Sequence, residues 1–189
     1  MSAPGRALRS EPLAMLTLEG YLELLSARSS VPASGSAAGV SAALAAALCG
    51  MAARFSNGSL DSAGEIAAKA DRLRLRALQL AEADSVAYTA LLEARRLPKD
   101  TVPDEREEAM AAAAAQVVAI PLEIAEIGAE IGLLASKVAS DGNPNLLGDA
   151  LGAMLLAEAA AAVASTIAEI NVAERSQAVV PPRSPTGTR

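Results

Sequence analysis

Apolar residues recur along the chain at intervals of three and four, and sustained alternation with a period of two is missing, so the pattern is that of helices. Leu18, Tyr21, Leu22 and Leu25 mark a short helix over about 18–27, with Thr17 placed to cap it. A stretch of small residues, 29–36, leads into a second helix over about 37–55 that Asn57 and Gly58 end. Ser62-Ala63-Gly64-Glu65 has the form of a capping box and opens a long helix reaching about Arg95. Its apolar stripe is Leu73, Ala77, Leu80, Ala87 and Leu91. Leu97-Pro98-Lys99 breaks that helix. A helical pattern resumes near Pro103 and runs to Ser140, with Pro121 inside it, where a missing backbone donor is expected to kink or split the helix. The turn 141–145 follows, and Asn145 is positioned to cap a last helix over about 146–173. Residues 1–16 read as an irregular arm, 17–174 as one helical domain, and 175–189, with three prolines, as a disordered tail.

The predicted fold is all-α: a single-domain antiparallel bundle of five or six long, alanine-rich helices. Between Asp149 and Glu169 the only charged residue is Glu158, so the last helix is apolar nearly all round. A lone protomer would expose much of that surface, and a homodimer with a large helical interface is expected.

Hydrophobic residues are 52% of the 189, much of that alanine, and aromatics only 2% (Tyr21, Phe55 and Tyr88). Such a core lets helix backbones approach closely, and alanine is the strongest helix former. Residues 31–53 carry no charge, which raises a membrane span as an alternative. Pro32, the glycines and the many Ala and Ser residues make a buried helix the better reading, and no membrane association is expected.

Charge and composition narrow the chemistry. The net charge is −6, with no basic stripe and no aromatic stacking platform, so no nucleic-acid partner is expected. There is no histidine and one cysteine, Cys49, which excludes Ser-His-Asp and Cys-His catalysis and leaves no expected metal site. A single cysteine and an N-terminus unlike a signal peptide fit a cytoplasmic protein. The Ala- and Arg-rich composition suggests a bacterial source. Acid–base work must fall to carboxylates, amines or amides.

Asp84 stands out because it interrupts the apolar stripe of the third helix. An unpaired buried carboxylate is costly, so Asp84 lines a polar cavity, or pairs with a buried cation, or the helical phase is wrong. Gly35 and Ser36 end a small-residue loop that feeds a helix N-terminus, where free backbone N–H groups can meet an anion or a carbonyl, or simply be capped. Glu123, Glu126, Glu130 and Lys137 fall roughly on one face and read as solvated. Arg72, Arg74 and Arg76 read as surface charges, and Glu158 as a structural partner for an arginine such as Arg54.

The ordered motifs resemble the formiminotransferase-cyclodeaminase C-terminal domain, also called the methenyltetrahydrofolate cyclohydrolase family. They are Pro32-Ala33-Ser34-Gly35-Ser36, Asp84-Ser85-Val86-Ala87-Tyr88, Leu97-Pro98-Lys99, Pro121-Leu122-Glu123-Ile124-Ala125-Glu126, and Gly142-Asn143-Pro144-Asn145-Leu146-Leu147-Gly148-Asp149-Ala150. Order and spacing agree from about Leu18 to Val172. Departures fall in the first loop, where Ala33 and Ser34 replace family glycines, at Gly148, which replaces a serine, and at 57–61, where the family often carries Lys and Tyr.

The resemblance implies an enzyme acting on one-carbon units of tetrahydrofolate, as a cyclohydrolase or a cyclodeaminase, with the folate as substrate and no tightly bound cofactor. No formiminotransferase unit is expected within these 189 residues. It implies Asp84 as the acid–base or charge-stabilising group, Asp149 as a second carboxylate, and Lys99 as a partner for Asp84 or a substrate carboxylate. Gly35, Ser36, Asn143, Asn145 and Tyr88 become substrate-binding candidates, with helix capping as an equal reading for Asn145. Whether Asp84 and Asp149 meet within one protomer or across two is open. Two other readings stand beside this one: the same scaffold acting on a non-folate metabolite through ring closure or C–N chemistry, and a helical dimerisation protein without catalysis.

Overall fold

The computed structural model describes residues 11–97 and 103–179. Within them the chain is helical, with α1 at Leu18–Ser26, α2 at Ser34–Arg54, α3 at Ala63–Arg95, α4 at Pro103–Asp141 and α5 at Leu147–Val179. Short 3-10 turns at Leu13–Met15 and Pro144–Leu146 precede α1 and α5. The all-α expectation is met. Lys99, and with it the Leu-Pro-Lys motif's role, lies outside the described residues.

α2 is the centre, touching α3, α4 and α5. Its inward faces are small: Ala42, Ala45, Ala52 and Cys49 are fully buried. A Cβ added at Gly39 would lie 2.9 Å from that of Ala81, so glycine there permits the α2–α3 approach. At the other end of the pair, Gly50 lies against Ala70 and Ala67. Larger residues fill the layer between α4 and its neighbours: Ile124 and Ile131 are fully buried, with Ile127 and Val138 beside them. The α3–α4 seam is edged by Arg76, which binds Glu123 through two N–H groups at 2.6 and 2.7 Å, and by Lys69 with Glu130. Glu123 and Glu130, read from sequence as simply solvated, thus tie α4 to α3. Arg54 pairs with Asp71 instead of Glu158, which is exposed.

Several local expectations change. α2 starts at Ser34, three residues early, because Gly35 and Ser36 enter its first turn. Ser62 does sit at the N-terminus of α3, yet its side chain makes no capping bond; its buried hydroxyl lacks a partner among the described residues, so the capping box does not form. Asn143, not Asn145, does the capping before α5, accepting from the Asn145 N–H at 3.0 Å. α5 continues to Val179, six residues beyond the expected end and into the segment read as a disordered tail. The arm contributes to packing, since Leu13 is buried with Tyr21 and Ala81.

Pro121 neither ends nor divides α4, which is continuous from Pro103 to Asp141. Proline lacks the N–H that would serve the carbonyl four residues back, that of Val117. Asn171 of α5 supplies the missing donor, its Nδ2 lying 2.6 Å from that oxygen. A half-buried carbonyl left without a donor costs about 1–3 kcal/mol. Asn171→Leu is therefore expected to destabilise the fold by about that amount in urea titration. The cost should largely vanish in a Pro121→Ala background, where the backbone N–H returns; a cost unchanged there would show that Asn171 acts otherwise.

Candidate functional site

Asp84 lies mid-way along α3 and half-buried, where the stripe expects an apolar side chain. It faces the first turn of α2. The Ser36 backbone N–H donates to its carboxylate, and a Cβ at Gly35 would overlap the carboxylate atoms. Of the two readings of the small-residue loop, an N-terminus open to a ligand or one capped by the chain, the Ser36 N–H follows the second, since Asp84 takes it. The helix N-terminus favours the charged form, but burial dominates and pushes the carboxyl up from its ordinary 3.8 to about 6. Of the three readings open from sequence, the helical phase is right and no cation sits on the group among the described residues; the polar surroundings are backbone.

Around this end of α2 the fold places further hydroxyls. Tyr21 of α1 is buried, and its hydroxyl lies 3.3 Å from Ser36 Oγ, also fully buried. Ser85, next to Asp84, is buried with an Oγ that lacks a hydrogen bond among the described residues. Tyr88 is one turn further along α3 and exposed. Sequence reasoning placed Tyr21 only as an apolar helix position. Its signal was a lone tyrosine among leucines, and a buried Tyr needs a hydroxyl partner. The Val31–Pro32 peptide that leads into α2 is cis.

The second group of motif residues gathers at the opposite end of α2. Ser56, fully buried, accepts from the Asn143 backbone N–H at 2.9 Å and donates to the Ala52 carbonyl at 2.8 Å. Asn143 Nδ2 donates to the Phe55 carbonyl at 3.1 Å, while its Oδ1 takes the Asn145 N–H. The Asn143 amide therefore fastens the α4–α5 turn to α2. Asn145 is exposed at the tip of that turn, and Asp149 is half-buried in the first turn of α5. Gly152, one turn later, packs by Leu48.

α2 thus separates the two groups. From Ser36 to Phe55 the helix rises about 28 Å, and the level of Asp149 lies roughly 20 Å from that of Asp84, at 1.5 Å per residue. One protomer brings together Gly35, Ser36, Asp84 and Tyr88, and separately Asn143, Asn145 and Asp149. It does not join the sets. Surface grooves along α1, by Leu18 and Leu22, and between α3 and α4, by Ala87 and Ala113, include neither carboxylate.

The profile of the formiminotransferase-cyclodeaminase family matches residues 17–178. The chain belongs to that family. A formimidoyltransferase-cyclodeaminase from Mus musculus is 34% identical over 142 residues, covering 70% of this chain and 26% of that protein. The chain therefore spans about a quarter of the length of that mammalian relative. A methenyltetrahydrofolate cyclohydrolase from Methylorubrum extorquens is 31% identical over 153 residues, 76% of this chain and 73% of the relative. A crystal structure of formiminotetrahydrofolate cyclodeaminase from Thermotoga maritima superposes with a TM-score of 0.76 over 85% of this chain and 80% of that one, at 24% identity, and so shares the fold.

Two outcomes follow from the Asp84 geometry. Alanine ordinarily improves a helix over glycine by about 1 kcal/mol, but Gly35→Ala should destabilise, and thermal melts should show that loss disappear in an Asp84→Ala background. The linkage sign is set by a folded pKa raised above the unfolded value. Well below pH 3.8 the carboxyl is neutral in both states and costs nothing; as pH rises to about 6 the unfolded chain ionises first, and the folded state loses stability. Asp84→Asn should accordingly stabilise by about 3 kcal/mol at pH 8, and hardly at all near pH 2.5, in paired denaturation curves.

Proposed function

We propose that this chain is a folate one-carbon enzyme, a methenyltetrahydrofolate cyclohydrolase or formiminotetrahydrofolate cyclodeaminase, working in the cytoplasm as an antiparallel helical homodimer. The observation that carries the reading is Asp84: in a member of this family, a carboxylate held against the first turn of α2 titrates at about 6. At neutral pH it is mostly ionised yet still basic enough to take a proton, which is the condition for general-base catalysis.

In the cyclohydrolase direction, water adds to the methenyl carbon of the amidinium bridge while Asp84 takes the water proton. The tetrahedral adduct then breaks its bond to N5, which ends with the hydroxyl proton as the 10-formyl carbonyl forms, and Asp84 releases the proton it took to solvent. In the cyclodeaminase direction, N10 attacks the carbon of the protonated formimino group and loses its proton to the carboxylate; the carboxyl then gives that proton to the amino nitrogen, which departs as ammonia as the methenyl bridge closes. Both routes pass through a cationic amidine-like centre, which a second carboxylate is suited to stabilise; since Asp149 lies far from Asp84 within one protomer, it would serve that role only from the other protomer of the homodimer. Asn145, exposed before it, and Tyr88, one turn from Asp84, would bind substrate, and Lys99 would pair with a substrate carboxylate.

A non-folate substrate was suggested by the altered loop, but the backbone weakens that argument. Ala33 is extended, at φ −138°, and Ser34 is already helical, so neither position needs glycine for its conformation. Loss of catalysis is disfavoured by Asp84 itself, since a scaffold has no use for a carboxylate that burial destabilises.

The test follows the near-ultraviolet absorbance of 5,10-methenyltetrahydrofolate, and ammonia release from 5-formiminotetrahydrofolate. One of the two should be turned over, with kcat/KM falling tenfold per pH unit below about 6. Asp84→Asn should lower kcat at least about 100-fold. Turnover of neither substrate by folded protein would reject the folate reading.

A further inference from the structure

α1 is seated on the bundle by one side chain. Of its nine residues only Tyr21 is buried, while Leu18 and Leu22 are exposed. The Tyr21 ring packs in a small cluster with Leu13 and Ala81, and Leu25 and Val40 lie against it. A phenylalanine would fill that cluster as well. A hydroxyl buried among such neighbours is costly unless it is bonded. The Tyr21 hydroxyl has its partner in Ser36 Oγ, 3.3 Å away and fully buried in the first turn of α2.

That turn gets no help from its own cap. Ala33 stands at the N-cap position, where its methyl group can accept nothing. The leading N–H groups of a helix need acceptors from elsewhere, and the Ser36 N–H finds one on another helix, the Asp84 carboxylate. Gly35 leaves the carboxylate room to reach it. Ser36 therefore carries two links, its side chain tied to α1 and its backbone N–H to α3.

We propose that Tyr21 is a positioning residue for the reaction: through Ser36 it holds the backbone N–H that orients the Asp84 carboxylate, which makes α1 part of the catalytic apparatus. The inference rests on the reading of Asp84 as the proton acceptor.

The consequence is electrostatic. The Ser36 N–H favours the ionised carboxylate and works against burial. Without the Tyr21 hydroxyl, Ser36 Oγ turns to a backbone carbonyl one turn back, as serines in helices do. The turn that carries the N–H is then free to shift, its bond to Asp84 loosens, and the carboxyl titrates higher. Burial and the Ser36 N–H set this balance, and other charges stand apart from it. α2 has no ionisable group before Cys49, and α4 has none between Glu108 and Glu123, the stretch whose Ala113 lines a groove with Ala87 of α3. The ion pair of Arg95 on α3 with Glu174 on α5 lies about 16 Å along α3 from Asp84. On α1 and its flanks Glu11, Glu19, Glu23 and Arg28 are exposed, as is Tyr88 on α3. Glu82, two residues before Asp84, accepts from the Leu13 N–H at 2.6 Å.

Tyr21→Phe keeps the ring and removes only the hydroxyl. The acid limb of kcat/KM, near pH 6 in the wild type, should move up by about one pH unit. At pH 6 that is about a fivefold fall in kcat/KM, shrinking to almost nothing by about pH 8.5. A merely structural fault would lower activity by the same factor at every pH. Ser36→Ala should give the same shift, and adding Tyr21→Phe to it should give no more, because both changes remove one contact.

A second arm needs no folate. In protein isotope-labelled at the aspartate carboxyl carbons, the NMR signal that Asp84→Asn removes reports the titration of Asp84 directly. Its midpoint should rise by about one pH unit in Tyr21→Phe and in Ser36→Ala. A midpoint left in place by Tyr21→Phe overturns the inference, whatever the activity does. So does a second full shift when Tyr21→Phe is added to Ser36→Ala. A midpoint that moves in a protein inactive on both folates rejects the folate reading and leaves Tyr21 as the residue that positions Asp84.

Discussion

Everything in this fold depends on how closely three helices can approach α2. Its buried positions are alanine, glycine, serine and one cysteine, so α3, α4 and α5 pack against its backbone more than against long side chains. Small residues bury little area each, and the stability they bring comes from dense contact along about six turns instead of a few large anchors. α2 is uninterrupted from Ser34 to Arg54, a spacer with a chemical group at each end. Close packing also fixes Asp84: α3 can place its carboxylate over the first turn of α2 because Gly35 presents no Cβ.

That contact holds two opposing effects. Burial raises the energy of the charged form, and the Ser36 N–H lowers it. Were the hydrogen bond to win, Asp84 would be an ordinary ionised carboxylate, too weak a base to take a proton from water near neutrality. Were burial complete and the N–H absent, the group would stay protonated. A value near 6 lies between these, which is where a proton acceptor is useful. The first turn of α2 is thus more than an anchor, since its position sets the basicity of the residue that faces it.

Much of the fold was legible from sequence. The five helices follow from three-and-four spacing and from breakers such as Asn57-Gly58 and 141–145, and Asp84 was legible because a carboxylate on an apolar stripe demands an explanation. What was hidden depended on partners distant in the chain. Pro121 looked like a break because nothing local can replace its lost donor; Asn171, 54 residues away, does so. Ser62 matched a capping box, but its hydroxyl is buried without making that bond. Asn143 and Asn145 were indistinguishable as caps until Ser56 and Phe55 fixed the turn on α2 through Asn143. The motif list also gave no hint of distance: Asp84 and Asp149 read as members of one site, and the length of α2 separates them.

α5 poses the same question in a different form. Its most apolar 18-residue window has a mean hydropathy of 1.7, and only 28% of that window is buried, against 61% for the equally apolar window of α2. A helix of that composition is stable in water only if something else covers it. Helix propensity does not require the leucines, because alanine would serve better at exposed positions. Their cost in solubility implies a return in packing, which a second helical surface laid over the first turns of α5 would supply at Leu151 and Leu155. Ile170 and Val172 are exposed several turns further on, near where Asn171 secures Val117.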